Sequence, residues 1–135
     1  MKIGVAVSGQ GSNLRNLVDG GFEVVAVVTN RPKCGGAAFA RERGIPLGEL
    51  SQKSFGSAEE RDVAMRDFFK SHGVELIVDA GYDRIHTEPL LEAFSGRIVN
   101  IHPSMLPEFA GGMDAVEQAL RAGAKMTVDC APCHR

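Results

Sequence analysis

The chain has no strong charge of either sign, no long hydrophobic run, no repeats and no low-complexity linker. Its net charge of −2 over 135 residues gives no electrostatic case for nucleic acid or an anionic membrane as partner. No stretch approaches the roughly 18 apolar residues of a membrane span. The N-terminus enters Lys2-Ile3-Gly4-Val5-Ala6-Val7 at once, too short and too early for a secretory signal, so a cytoplasmic setting is expected. Three cysteines are an odd number and do not make a disulfide framework. What remains is an ordinary globular balance, 44% hydrophobic and 24% charged, of a length that suits one domain.

The most informative stretch is Arg97 to Pro107, Arg-Ile-Val-Asn-Ile-His-Pro-Ser-Met-Leu-Pro. It begins as a β-branched strand. Asn100 and His102 lie two residues apart, so on an extended chain they share a face, and Pro103 and Pro107 stop the strand. The amide can donate to a developing oxyanion and the imidazole can move a proton near neutral pH. The alternative is a polar strand end that satisfies local backbone.

Strands and helices alternate along the rest of the chain. Lys2–Val7 reads as a buried strand, followed by the glycine-rich turn Ser8-Gly9-Gln10-Gly11-Ser12-Asn13 and a helix start at Leu14. Converging backbone N–H groups at such a turn suit a phosphate. The turn lacks both the Walker pattern and the third glycine of a dinucleotide fingerprint, so a plain βα turn is an equal alternative. Glu23–Thr29 reads as a second strand covered on both faces, Ala37–Arg43 as a short helix, and Ile45-Pro46-Leu47 as an edge strand. Ser57-Ala58-Glu59-Glu60 is a capping box. It opens a helix to about His72 that is expected to bury Val63, Ala64, Met65, Phe68 and Phe69. His72 is expected to be a solvated cation at the helix C-terminus. Val74–Ala80 is a fourth strand, and Thr87 is placed to cap a helix over Pro89–Phe94. A glycine loop at Phe109–Met113 and a helix over Ala115–Ala122 follow the fifth strand.

This alternation predicts an α/β fold with a doubly wound, mostly parallel sheet of Rossmann-like topology. Ligands in such sheets bind outside the carboxyl ends of the strands. The turns at Gly9–Asn13, Gly81–His86 and Asn100–Met105 all fall on that edge, which favours the catalytic reading of Asn100 and His102.

These residues resemble the phosphoribosylglycinamide formyltransferases. Ser8 to Leu14 is similar to that family's phosphate turn, Ala80-Gly81-Tyr82-x-Arg84-Ile85 to its folate-side loop, and Asn100 to Pro107 to its catalytic motif. Gln118-Ala119-Leu120 with Gly123 resembles the helix that follows. The catalytic motif is shared with methionyl-tRNA formyltransferase and formyltetrahydrofolate deformylase, and the Ser-Gly-x-Gly-Ser-Asn-Leu turn points to the glycinamide ribonucleotide enzyme. The resemblance implies a formyltransferase-like domain over residues 1–127 and a divergent tail over 128–135.

The implied reaction moves a formyl group from 10-formyltetrahydrofolate to the amine of glycinamide ribonucleotide, in purine biosynthesis, without a metal. Gly11, Ser12 and Asn13 would hold the substrate phosphate. Asn100 would donate to the oxyanion and also face the folate, and His102 would handle the proton. Arg84, with main chain around Ile85 and His86, would hold the pterin. No nucleic-acid or membrane partner is implied, and the expected state is a monomer or homodimer. The alternatives are a non-catalytic phosphate- or nucleotide-binding domain, or another folate-dependent formyltransferase or deformylase of the same superfamily. Asp83 stands where many members have Met, and Val116 where many have His. The family's third catalytic residue, a downstream aspartate, lies beyond residue 135, so an impaired chain is expected, with apolar surface left exposed beside missing strands.

The resemblance ends after Thr127. Cys130-x-x-Cys133-His134 has the form of a c-type haem attachment motif, but it has no haem-wrapping domain or axial ligand to go with it. Three donors at a terminus also make a poor zinc site. A shifted reading frame through Cys130–Cys133 can encode Cys-Thr-Val, which fits the family's next strand, so the tail is expected to be a frameshifted end.

Overall fold

A computed structural model describes residues 1–100. Over that span the chain runs β1 (Lys2–Val7), α1 (Ser12–Asp19), β2 (Glu23–Thr29), α2 (Gly35–Glu42), β3 (Leu47–Glu49), α3 (Ala58–Ser71), β4 (Leu76–Asp79), α4 (Glu88–Ala93) and β5 (Ile98–Asn100), with a 3-10 turn at Gln52–Ser54. The five strands form one sheet in the order β3-β2-β1-β4-β5. Every pairing is parallel. The chain winds outward from β1 to β3, then returns past β1 to β4 and β5. The expected doubly wound α/β fold is therefore present, with its topological switch at β1.

Two apolar layers hold the sheet. One joins Val5, Val7, Val27, Val78 and Val99 to Leu14, Leu17 and Phe39 of α1 and α2. The other joins Ala6, Ala26, Val28, Ile77 and Ile98 to Met65 and Phe69 of α3 and to Leu90 and Phe94. The near-continuous apolar runs of β1, β2 and β4 follow from this, since a strand covered on both faces has no solvent-facing alternate residue.

Several boundaries differ from expectation, each for a local reason. The edge strand is Leu47–Glu49 rather than Ile45–Leu47, because Pro46 has no N–H and contributes only its carbonyl, which accepts from Val27 N–H at 2.9 Å. Helix α2 starts at Gly35, two residues early, with Cys34 at its N-cap. In α3, Met65 and Phe69 are buried as expected, while Val63, Ala64 and Phe68 are only partly covered. The residues that join the buried face are Arg61 and Asp62. Ser57 Oγ caps α3 by accepting from Glu60 N–H at 3.1 Å. The Glu60 carboxylate accepts from Gly56 N–H at 2.9 Å, one residue upstream of the reciprocal bond that a capping box makes. His72 is half-buried, its ring 4.5 Å from that of Phe68 and its Nδ1 2.9 Å from the Phe68 carbonyl. Thr87 occupies the N-cap of α4, but its side chain does not cap.

The glycine loop at Phe109–Met113, the helix over Ala115–Ala122, Val116, and Cys130 and Cys133 lie outside the described residues. Among the described residues no helix is long and apolar enough to cross a membrane. None of their His, Cys, Asp and Glu side chains form a group that could hold a metal.

Candidate active site

The carboxyl edge of the sheet carries the chemistry. At its β1 end the chain leaves Val7, passes Ser8–Gln10 and enters α1 with Gly11 at the N-cap. Gly11 has φ +86°, a left-handed conformation that costs an L side chain about 1–2 kcal/mol. A Cβ there would also lie 2.6 Å from Gly36 Cα. Gly36 N–H donates to the Gly9 carbonyl at 2.9 Å, and a Cβ on Gly35 would meet the Gln10 carbonyl oxygen at 2.7 Å. The turn is thus braced backbone to backbone against the start of α2, and three glycines make that approach sterically possible. No side chain caps α1, and its first turn carries no acidic residue. The N-terminal N–H groups of Ser12, Asn13 and Leu14 have no intrahelical acceptor, so they point an unneutralised positive end at the edge.

A polar strut connects this turn to the β4–α4 loop. Ser8 Oγ accepts from Asp83 N–H at 3.0 Å and donates to Asn30 Oδ1 at 2.6 Å. Asp83 Oδ1 accepts from Asn30 Nδ2 at 2.8 Å, and Asp83 Oδ2 from Arg31 Nη2 at 2.7 Å. The ends of β1, β2 and β4 are tied together by these bonds. Desolvation would raise the Asp83 carboxyl, but the hydrogen bonds from Asn30, Ser8 and Arg31 and the Arg31 charge outweigh it and hold the group below its ordinary value. A cleft of about 810 Å³ opens beside the strut, lined by Ser8, Arg31, Lys33, Cys34, Ser51 and Lys53 among others.

The folate-side loop divides into an exposed tip and a buried base. Arg84 and Ile85 are exposed, Ile85 by 60%, and Arg84 Nε lies 3.9 Å from Asp83 Oδ1. The Ile85 carbonyl accepts from Arg61 Nη2 at 2.9 Å. The His86 side chain turns down into the protein, 2% exposed, and its Nε2 meets Asp79 Oδ2 at 2.7 Å. Burial by itself would lower the imidazole pKa. The Asp79 charge and hydrogen bond, with Asp62 adding and Arg61 opposing, raise it above its ordinary value. The Tyr82 ring stacks on His86 at 5.3 Å and 14°. Burial pushes the Tyr82 phenol well up.

Beneath the loop a second buried pair supports it. Arg61 Nε donates to Asp62 Oδ1 at 3.0 Å, and Arg61 Nη1 to Gln52 Oε1 at 2.9 Å. Asp62 Oδ2 accepts from Thr87 N–H and from Thr87 Oγ1. Asp62 therefore caps α4 from outside, which is why the Thr87 hydroxyl is not the cap.

Asn100 ends β5, half-buried, in register with Asp79 of β4. His102 lies outside the described residues. The structure brings Gly11, Ser12, Asn13, Arg84, Ile85, His86 and Asn100 to one edge. The Ser8–Asn30–Arg31–Asp83 strut, the Asp79–His86 pair and the Arg61–Asp62 pair were not anticipated. Asp79, an acid closing the apolar run Leu76-Ile77-Val78, was the signal in the sequence.

The formyl transferase family profile matches residues 1–128. The chain belongs to the formyl transferase family. Phosphoribosylglycinamide formyltransferase of Haemophilus influenzae is 37% identical over 128 residues, 90% of this chain and 60% of its own length. The chloroplastic phosphoribosylglycinamide formyltransferase of Arabidopsis thaliana is 35% identical over 92% of this chain and 46% of its own. In three dimensions, glycinamide ribonucleotide transformylase 1 from Symbiobacterium toebii superposes with a TM-score of 0.74 at 36% identity, over 92% of this chain and 61% of that one. The chain thus spans about three-fifths of the length of the Haemophilus relative, and its five-stranded parallel sheet is the formyltransferase fold seen in these neighbours.

Proposed function

We propose that the protein transfers a formyl group from 10-formyltetrahydrofolate to the amine of glycinamide ribonucleotide in purine biosynthesis, in the cytoplasm and without a metal. The observation that carries this reading is the uncapped N-terminus of α1 behind Gly11, held open by its contact with Gly35 and Gly36. A phosphate placed there receives main-chain N–H donors at the positive end of a helix. Relatives matched over 90% and 92% of this chain are glycinamide ribonucleotide enzymes by name. In the proposed reaction Gly11, Ser12 and Asn13 hold the phosphate, and the ribosyl glycinamide extends from them toward Asn100. The amine attacks the formyl carbon and the bond to the folate nitrogen breaks. The Asn100 amide donates to the oxygen on which negative charge develops. His102 takes the proton from the attacking amine and returns it to the departing nitrogen. Arg84 and the main chain at Ile85 and His86 hold the pterin.

Titration calorimetry with glycinamide ribonucleotide and with its dephosphorylated riboside tests the phosphate site. The ribonucleotide should bind at least tenfold more tightly. Equal binding of the two would remove the reading. Ribonucleotide binding without any label reaching it from formyl-labelled folate would instead support a non-catalytic phosphate-binding domain.

A further inference from the structure

Arg61 and Asp62, adjacent on α3, form a buried ion pair that the proposed chemistry does not use. They are 2% and 0% exposed, with Arg61 Nε and Asp62 Oδ1 at 3.0 Å. A buried ion pair is commonly no more stabilising than packed apolar residues of the same volume. Packing alone therefore gives no reason for the pair.

What it holds supplies one. Among the described residues, no backbone–backbone hydrogen bond involves residues 82–86. The main chain of the folate-side loop is held instead by side chains from other elements. Asp83 N–H donates to Ser8 Oγ at 3.0 Å. The Ile85 carbonyl accepts from Arg61 Nη2 at 2.9 Å. Thr87 N–H and Thr87 Oγ1 both donate to Asp62 Oδ2. The Ile85 and Thr87 attachments stand on either side of His86, and both belong to the one ion pair. The pair is itself anchored, since Arg61 Nη1 donates to Gln52 Oε1 at 2.9 Å. A planar guanidinium meets three acceptors in fixed directions, which an ammonium on a flexible stem does not do.

We infer that Arg61 and Asp62 are positioning residues for folate binding. Gripping the main chain at Ile85 and Thr87, they hold Arg84, Ile85 and His86 in one shape before the folate arrives. Binding then does not have to order the loop, which is how preorganisation raises affinity. The inference rests on the formyl-transfer reading above, in which that segment holds the pterin. Neither residue touches the substrate in this account, so the effect falls on folate affinity and spares the ribonucleotide.

The test compares two variants of the whole chain. Arg61→Lys keeps a cation beside Asp62 and gives up the fork. Met65→Ala opens the core under the same helix and leaves the loop attachments in place. Calorimetry with tetrahydrofolate should show binding at least tenfold weaker in Arg61→Lys, with glycinamide ribonucleotide bound as in the wild type. Met65→Ala should bind both ligands as the wild type does, although it melts lower. Without ligand, the residual dipolar couplings of the Ile85 and His86 amides should change in Arg61→Lys and not in Met65→Ala. Thr87→Val keeps the ion pair and serves if Arg61→Lys does not fold; it should weaken tetrahydrofolate binding alone, by a smaller factor. Equal weakening in Arg61→Lys and Met65→Ala would show the pair to be structural and overturn the inference. So would amide couplings that stay unchanged in Arg61→Lys. A wild type that binds no tetrahydrofolate would sink the formyl-transfer reading, and the couplings would still decide whether the pair sets the shape of the loop.

Discussion

The imidazole of His86 and the carboxylate of Asp79 meet at 2.7 Å, with both side chains out of water. His86 therefore holds its proton more tightly in the folded chain than in the unfolded one. A folded-state pKa raised above the unfolded value of about 6.5 contributes stability that is fully present below that pH. The contribution is lost as pH rises through the folded value. The urea midpoint should fall between neutral and mildly alkaline pH in the wild type and stay flatter in H86L. Parallel pH profiles for the two would remove this linkage.

Arg61 should be far more sensitive than its place on a charged helix suggests. It is 2% exposed and bonds Asp62, Gln52 and the Ile85 carbonyl at once. Arg61→Ala leaves Asp62 charged and buried, for a loss of about 3–5 kcal/mol in equilibrium unfolding. Thr87→Val, which keeps the Thr87 N–H bond to Asp62 and loses the hydroxyl bond, should cost about 1 kcal/mol.

Asp83 should behave in the opposite way. Its ion pair with Arg31 joins side chains 40% and 61% exposed, and such pairs contribute about 0–1 kcal/mol. Asp83→Asn should therefore leave the melting temperature nearly unchanged. It weakens the tie between the β4–α4 loop and Ser8, so its effect should appear in KM for the folate rather than for the ribonucleotide. An unfolding penalty of several kcal/mol would show that the strut is a core element.

Gly11→Ala should damage ribonucleotide binding and stability together. The left-handed backbone costs about 1–2 kcal/mol with a side chain present, and the new Cβ must displace Gly36. Asn16→Ala, on the exposed side of the same helix, should leave ribonucleotide affinity unchanged. Equal losses in the two variants would mean that the turn is not the site.

The fold was legible because both signals it rests on are local. The unbroken apolar run of β2 announced a strand covered on both faces, and the glycine turn after β1 announced the switch to a helix. The position of Asn100 in the fifth strand followed from the same pattern. What escaped was set by pairings distant in sequence. Arg61 and Asp62 look like the solvated face of a helix until Thr87 and the Ile85 carbonyl fold over them. The partner of Asp83 is Arg31, 52 residues away, and no periodicity encodes it. His86 passed for a loop residue on the ligand side because its acceptor, Asp79, stands at the end of a strand seven residues earlier. The start of α2 was missed because Gly35 and Gly36 have the composition of a loop. They begin the helix because the backbone at Gln10 and Gly11 leaves no room for a side chain.

The most direct test of the account is a single-turnover transfer experiment on the whole chain. Formyl-labelled 10-formyltetrahydrofolate is mixed with excess protein in the presence and absence of glycinamide ribonucleotide, with Asn100→Ala in parallel. The account predicts label appearing in the ribonucleotide with the wild type, about 10²–10³ times more slowly with Asn100→Ala, the usual cost of one oxyanion donor. Label that never reaches the ribonucleotide, or reaches it equally fast without the Asn100 amide, would contradict it.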